Sequence, residues 1–154
     1  MTTTAPDAPP SCPRSVAEAA LSYTQNLALL PQSVAVGRMS VRTTMSCWGM
    51  DTLSADVELV ASELMTNAVD HTRTLYATKD EPGRYRLTLE QLRPGSVVVS
   101  VMDFSPSRPK IKSPGENTES GRGLQVVKEL AARWGVTPTP TGKVVWAEVR
   151  KEDT

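Results

Sequence analysis

This chain has one histidine, His71, and two cysteines, Cys12 and Cys47. That shortage excludes a zinc site of ordinary Cys/His spacing. The two cysteines lie far apart in different contexts. One disulfide is arithmetically possible, but two free thiols in a reducing, cytoplasmic compartment are expected. No apolar run approaches the ~20 residues of a membrane-spanning helix. The first residues, Met1 to Asp7, carry neither the basic nor the apolar region of a signal peptide. Seventeen Lys and Arg balance seventeen Asp and Glu. A net charge of zero leaves no overall basic footprint for nucleic acid or an anionic membrane. What remains is an ordinary globular composition over 154 residues, enough for one domain with one core.

Residues 1–13, rich in Pro, Thr and Ala, read as a disordered tail before a single domain over 14–150, with a short tail at 151–154. Ser15-Val16-Ala17-Glu18 has capping-box spacing, which marks a short helix start. Residues 23–30 read as a strand closed by Pro31. Val34, Val41, Met45 and Trp48 recur at helical spacing over 32–48, Arg38 and Arg42 fall on another face, and Gly49 stands as a C-cap. Ser54 is expected to cap the next helix, with Asp56 and Glu58 in its first turn. Val57, Val60, Ala61, Leu64 and Ala68 form the apolar stripe of that helix, and Glu63 and Asn67 lie together along its edge.

The middle of the chain has a different period. Tyr85, Leu87 and Leu89 alternate with polar residues, Pro94-Gly95 makes a turn, and Val97 to Met102 is apolar on both faces, which predicts a hairpin with a buried second strand. Residues 104–122, with three prolines and little apolar surface, read as a long lid. Leu124, Val127, Leu130, Ala131 and Trp134 mark one face of a helix ended by Gly135. Lys143 to Arg150 reads as a last strand with Val145, Ala147 and Val149 on one side. Helices and antiparallel strands are segregated, which predicts an α+β two-layer sandwich.

Three separated pieces carry chemistry. A carboxylate and a carboxamide one turn apart, Glu63 and Asn67, supply a base and a hard oxygen ligand for Mg²⁺. Asp103, at the end of the apolar strand, is an acceptor for an exocyclic amine such as that of adenine. Gly121-Arg122-Gly123-Leu124 at a helix start offers free N–H groups, close backbone approach and a cation to phosphate. Together they describe a site for ATP. Taken singly, each has an ordinary structural explanation: a solvated helix edge, a turn residue, a flexible helix entry. His71, near a helix C-terminus, reads as structural, and Trp48, Trp134 and Trp146 as core or partner-surface aromatics.

These boxes, in this order, resemble the GHKL (histidine-kinase-like) ATPase superfamily, and within it the small anti-sigma-factor serine kinases and related single-domain ATP-binding regulators common in actinobacteria. The N-box pattern E-L-x-x-N-A-x-x-H matches Glu63, Leu64, Asn67, Ala68 and His71. The aspartate of the first glycine box matches Asp103, and the second glycine box matches Gly121 to Leu124. Arg133-Trp134-Gly135-Val136 and Gly142-Lys143-Val144-Val145-Trp146 also look like the actinobacterial branch. The resemblance runs over about 23–150. It implies a Bergerat-type sandwich, a mostly antiparallel sheet covered by helices on one face. It further implies Glu63 as general base, Asn67 as Mg²⁺ ligand, Asp103 as adenine reader, and Gly121, Arg122, Gly123 and Leu124 around the phosphates. The implied partners are a sigma factor and an anti-anti-sigma (STAS-type) antagonist phosphorylated on serine, with a homodimeric assembly. Two departures stand against the family pattern. Ser105-Pro106-Ser107 replace the glycines of the first box, and Val144 is expected where relatives place a threonine near adenine. They keep two other readings in view, a non-catalytic ATP-binding sensor and a pure protein-binding adaptor.

Overall fold

The structure, a computed structural model, describes residues 21–72, 83–104 and 118–151. The expected helix near Ser15 and the segment 105–117 of the expected lid lie outside those residues. Eight elements follow in order: β1 (Leu21–Ala28), α1 (Ser33–Cys47), α2 (Asp51–Thr72), β2 (Arg84–Arg93), β3 (Ser96–Asp103), α3 (Thr118–Leu130), β4 (Arg133–Thr139) and β5 (Gly142–Arg150). The strands form one sheet in the order β1-β2-β3-β5-β4, antiparallel at every pairing.

The expected stripe on α2 is the heart of the core. Val57, Val60, Ala61, Leu64 and Ala68 are all buried, against the alternate residues Leu87, Leu89, Val97, Val99, Val101, Ala147 and Val149 of the sheet. Period 3.6 on the helix and period 2 on the strands thus point at one another. The helix α2 packs on β3 and β5, α1 packs on α2 and β1, and α3 packs on α2 and β4. This is the expected α+β layering. β3 is buried along nearly its whole length on both sides.

Element boundaries differ from expectation in three places. First, α2 starts at Asp51, so Ser54 lies within the helix and is not its cap. The cause is tertiary. Gly49 takes φ +70°, the Met50 N–H returns to the Met45 carbonyl at 2.9 Å, and the Leu53 N–H bonds Met50 at 3.1 Å. Met50 and Leu53 are thereby buried and the second helix begins at once. Second, α3 begins at Thr118, so the end of the expected lid, 118–122, is helical. Third, α3 stops at Leu130, and Trp134 and Gly135 belong to a strand that the helical spacing of Leu124 to Trp134 had concealed. The Ala132 N–H leaves the helix ladder for the Glu148 carbonyl at 2.8 Å, and residues 133–139 then pair along β5. An edge position tolerates Pro138, and Trp, Val and Thr suit a pleated strand.

Charge is concentrated on the sheet face turned away from α2. Glu148, 3% exposed, accepts from Ser96 at 2.7 Å and from Arg150, Arg133 and Arg93 at 2.8, 2.9 and 3.2 Å. These donors overcome the desolvation that burial imposes and hold its carboxyl down at about 2. Glu90 on the same face is 2% exposed. Burial pushes its carboxyl up from 4.5 to about 7. The folded state therefore favours the protonated acid. Stability linked to Glu90 is complete below pH 4.5 and is lost as pH rises through 7. Glu90→Gln is expected to gain about 1–3 kcal/mol over the wild type at pH 8 and to match it at pH 4.5. Urea unfolding at both pH values checks this, and an equal difference at the two would overturn it.

Arg38 and Arg42 on α1 both reach Glu58 on α2, at 3.3 and 2.9 Å. The arginine side chains are at least half exposed, so solvent screens these pairs and they link the two helices more than they stabilise them.

Candidate functional site

One row across the sheet organises the site. Leu27, Tyr85, Asp103, Lys143 and Pro138 are successive cross-strand partners through β1, β2, β3, β5 and β4. The first four are buried. The Ser33 hydroxyl donates to the Leu30 carbonyl at 2.8 Å, so the Tyr85 hydroxyl, 2.7 Å away, donates to Ser33. That bond ties the start of α1 to the row. Burial pushes the Tyr85 hydroxyl up in pKa.

Beside Tyr85, Asp103 and Lys143 form an ion pair with Nζ 2.7 Å from Oδ2. Asp103 is 1% exposed and Lys143 4%. Their contact depends on Gly142. A Cβ there would collide with the Asp103 carbonyl oxygen and stand 2.9 Å from the Phe104 Cα, so only a glycine lets β5 come this close to the end of β3.

The ion pair lies in the wall of a pocket between α2 and the sheet. Its polar side chains are Asn67, His71, Asp103 and Lys143, and its apolar walls include Leu64, Val101, Leu124, Trp134 and Val145. Trp134 reaches it from β4 and carries the Lys128 ammonium 5.9 Å from its ring centre. A slot with apolar walls and a few polar groups at fixed places suits a flat heterocycle with one polar edge.

Of the residues singled out from sequence, Asn67, Asp103 and Leu124 line this one pocket. Glu63 lies on α2 one turn before Asn67, half-buried, and is not among the residues lining the pocket. Gly121, Arg122 and Gly123 have helical backbone as the fourth to sixth residues of α3. The free N–H groups of that helix start therefore precede the glycines. Among the described residues no cluster of three His, Cys, Asp or Glu could hold a metal alone. Asn67 places an amide oxygen, a hard ligand type, in the pocket.

One expectation is corrected. Val144, expected near an adenine, is not among the residues lining the pocket. It pairs with Met102 and Thr137, so the pleat turns it to the other face, and Lys143 is the residue beside Asp103. The signal was in the sequence. Val145, Ala147 and Val149 share a face, and the same alternation carried back two residues puts the charge of Lys143 on it. His71, in the last turn of α2, also lines the pocket, which its helix-end position alone did not indicate.

Among the described residues no helix is long and apolar enough to cross a membrane. Residues 27–149 match the family model of the histidine kinase-like ATPase domain. No curated protein matches the sequence.

Proposed function

Since the chain belongs to the histidine kinase-like ATPase domain family, we propose that it is a regulatory protein that binds Mg·ATP in the pocket between α2 and the sheet and transfers phosphate to a serine of a small partner protein. The observation that carries the reading is the convergence of Asn67, Asp103 and Leu124, from three separate sequence boxes, on one pocket. Asp103 would accept from the adenine amine, and Leu64, Val101, Leu124 and Val145 would flank the ring. Asn67 would hold Mg²⁺, which when bound neutralises charge on the phosphates. The start of α3, with Gly121, Arg122 and Gly123, would face the phosphates.

Glu63, one turn from Asn67, would orient the serine hydroxyl and take its proton. The serine oxygen bonds to the γ-phosphorus, and the bond to the departing ADP oxygen breaks. In family terms the phosphorylated protein is a STAS-type antagonist, and the same chain, as a cytoplasmic homodimer, sequesters a sigma factor while the antagonist is unavailable. The absence of glycines at Ser105-Pro106-Ser107 favours a second reading, an ATP-binding sensor that does not transfer phosphate.

Calorimetric titration of the full chain tests the common part. ATP with Mg²⁺ is expected to bind with a sub-millimolar Kd, and chelation of the metal by EDTA to weaken binding at least tenfold. No binding in the presence of Mg²⁺ would sink both readings and leave an adaptor. If ATP binds, transfer of label from γ-³²P-ATP to a STAS-type protein, lost in Glu63→Ala, separates kinase from sensor.

A further inference from the structure

We propose that Lys143 is a base-reading residue: its ammonium donates to the ring nitrogen next to the amine that Asp103 accepts from. The inference rests on the nucleotide reading of the pocket and goes beyond it. It assigns a specific atom of the purine to a residue outside the N-box and the two glycine boxes.

The argument starts from where the pair lies. Asp103 and Lys143 are direct cross-strand partners, both almost wholly buried, and both line the same pocket. A buried ion pair is, on average, no better for stability than apolar side chains of the same volume. Packing alone therefore does not account for an acid and a base in a sheet wall whose other lining residues are valines and Trp134. Recognition does. The carboxylate and ammonium, 2.7 Å apart, present an acceptor and a donor side by side. The adenine edge offers the complement on neighbouring atoms, the amine N–H on C6 and the lone pair of N1.

The chemistry of Lys143 allows both tasks together. An ammonium has three N–H donors and no acceptor. Among the described residues its one ionic partner is Asp103, so two N–H directions remain for a ligand. A carboxylate offers about four lone-pair sites and can accept from several donors at once. A base entering the slot need not break the pair. It extends the pair into a cycle in which the carboxylate accepts from the amine and the ammonium donates to the ring nitrogen. Trp134, Val145 and Leu124 line the same pocket with apolar atoms, and in such surroundings a missing hydrogen bond is costly.

The test compares ATP with 1-deaza-ATP, which keeps the amine but has C–H in place of N1. Both are titrated calorimetrically, with Mg²⁺, into wild type, Lys143→Met and Lys143→Gln. Wild type is expected to bind 1-deaza-ATP roughly 10- to 100-fold more weakly than ATP, the range for a hydrogen bond from a charged donor. The ratio should fall to near one in Lys143→Met and stay above it in Lys143→Gln, which retains a neutral donor. Equal affinities in wild type would overturn the assignment without any variant, so a misfolded Lys143→Met does not shield it. A ratio that persists unchanged in folded Lys143→Met would overturn it too. Failure of wild type to bind ATP would overturn the nucleotide reading and this inference together. Binding of ATP without N1 dependence would remove this inference alone.

Discussion

Asp103→Leu alone is expected to destabilise the fold by about 3–5 kcal/mol, whereas Asp103→Leu with Lys143→Met recovers most of that loss and still binds no ATP. The single variant strands an ammonium that is 4% exposed, with its carboxylate partner at 2.7 Å removed. The double variant fills the same space with apolar atoms and leaves no buried charge uncompensated. Native stabilities of domains this size are about 5–15 kcal/mol, so the single change consumes a large part of the total. Urea unfolding reads the stability and calorimetry with Mg·ATP reads the site. Together they separate the structural role of Asp103 from its role in recognition. A double variant as unstable as the single one would mean that the pair is needed by the fold itself. A stable double variant with wild-type affinity would remove Asp103 from the nucleotide site.

Gly142→Ala is expected to be the most damaging change of a single methyl group on the sheet, costing about 3 kcal/mol, at the upper end for overpacking. The added Cβ would meet backbone, the Asp103 carbonyl and Phe104 Cα, and backbone cannot rotate away as a side chain does. Relief requires β5 to move from β3 at the point where Lys143 meets Asp103. Nucleotide affinity should therefore fall more than tenfold even in molecules that remain folded. Thermal unfolding and ATP titration check the two parts. Glycine at 49 makes a contrast. It has nothing within 4 Å, and its φ of +70°, not space, is what an alanine would strain. A Gly142→Ala protein with unchanged melting temperature and affinity would show that the strands adjust freely there.

Much of the site could be read in the chain because its parts are local. The stripe Val57, Val60, Ala61, Leu64, Ala68 needs only a helical period, and all five residues are in the core. The same helix carries Glu63 and Asn67 one turn apart. The hairpin from Tyr85 to Met102 needs only alternation and a Pro-Gly turn, and β2 and β3 pair as expected. By contrast, α3 and β4 were merged, since Leu124 to Trp134 keeps helical spacing across a real boundary. Only the bond from Ala132 to the Glu148 carbonyl, sixteen residues further on, turns the chain into the sheet.

The sequence by itself determined the layered α+β class, the core face of α2 and the identity of Asn67 and Asp103 as pocket residues, because those depend on periods and spacings of a few residues. Strand alternation puts Lys143, and not Val144, on the core face, but only the tertiary structure decided that Lys143 pairs with Asp103. That is a question of strand register, and register is set by how β3, β5 and β4 bury their faces together. It also decided that α2 starts at Asp51 and that α3 starts ahead of Gly121-Arg122-Gly123. Helix ends and strand partners are fixed by long-range burial and hydrogen bonding, which no short window of sequence contains.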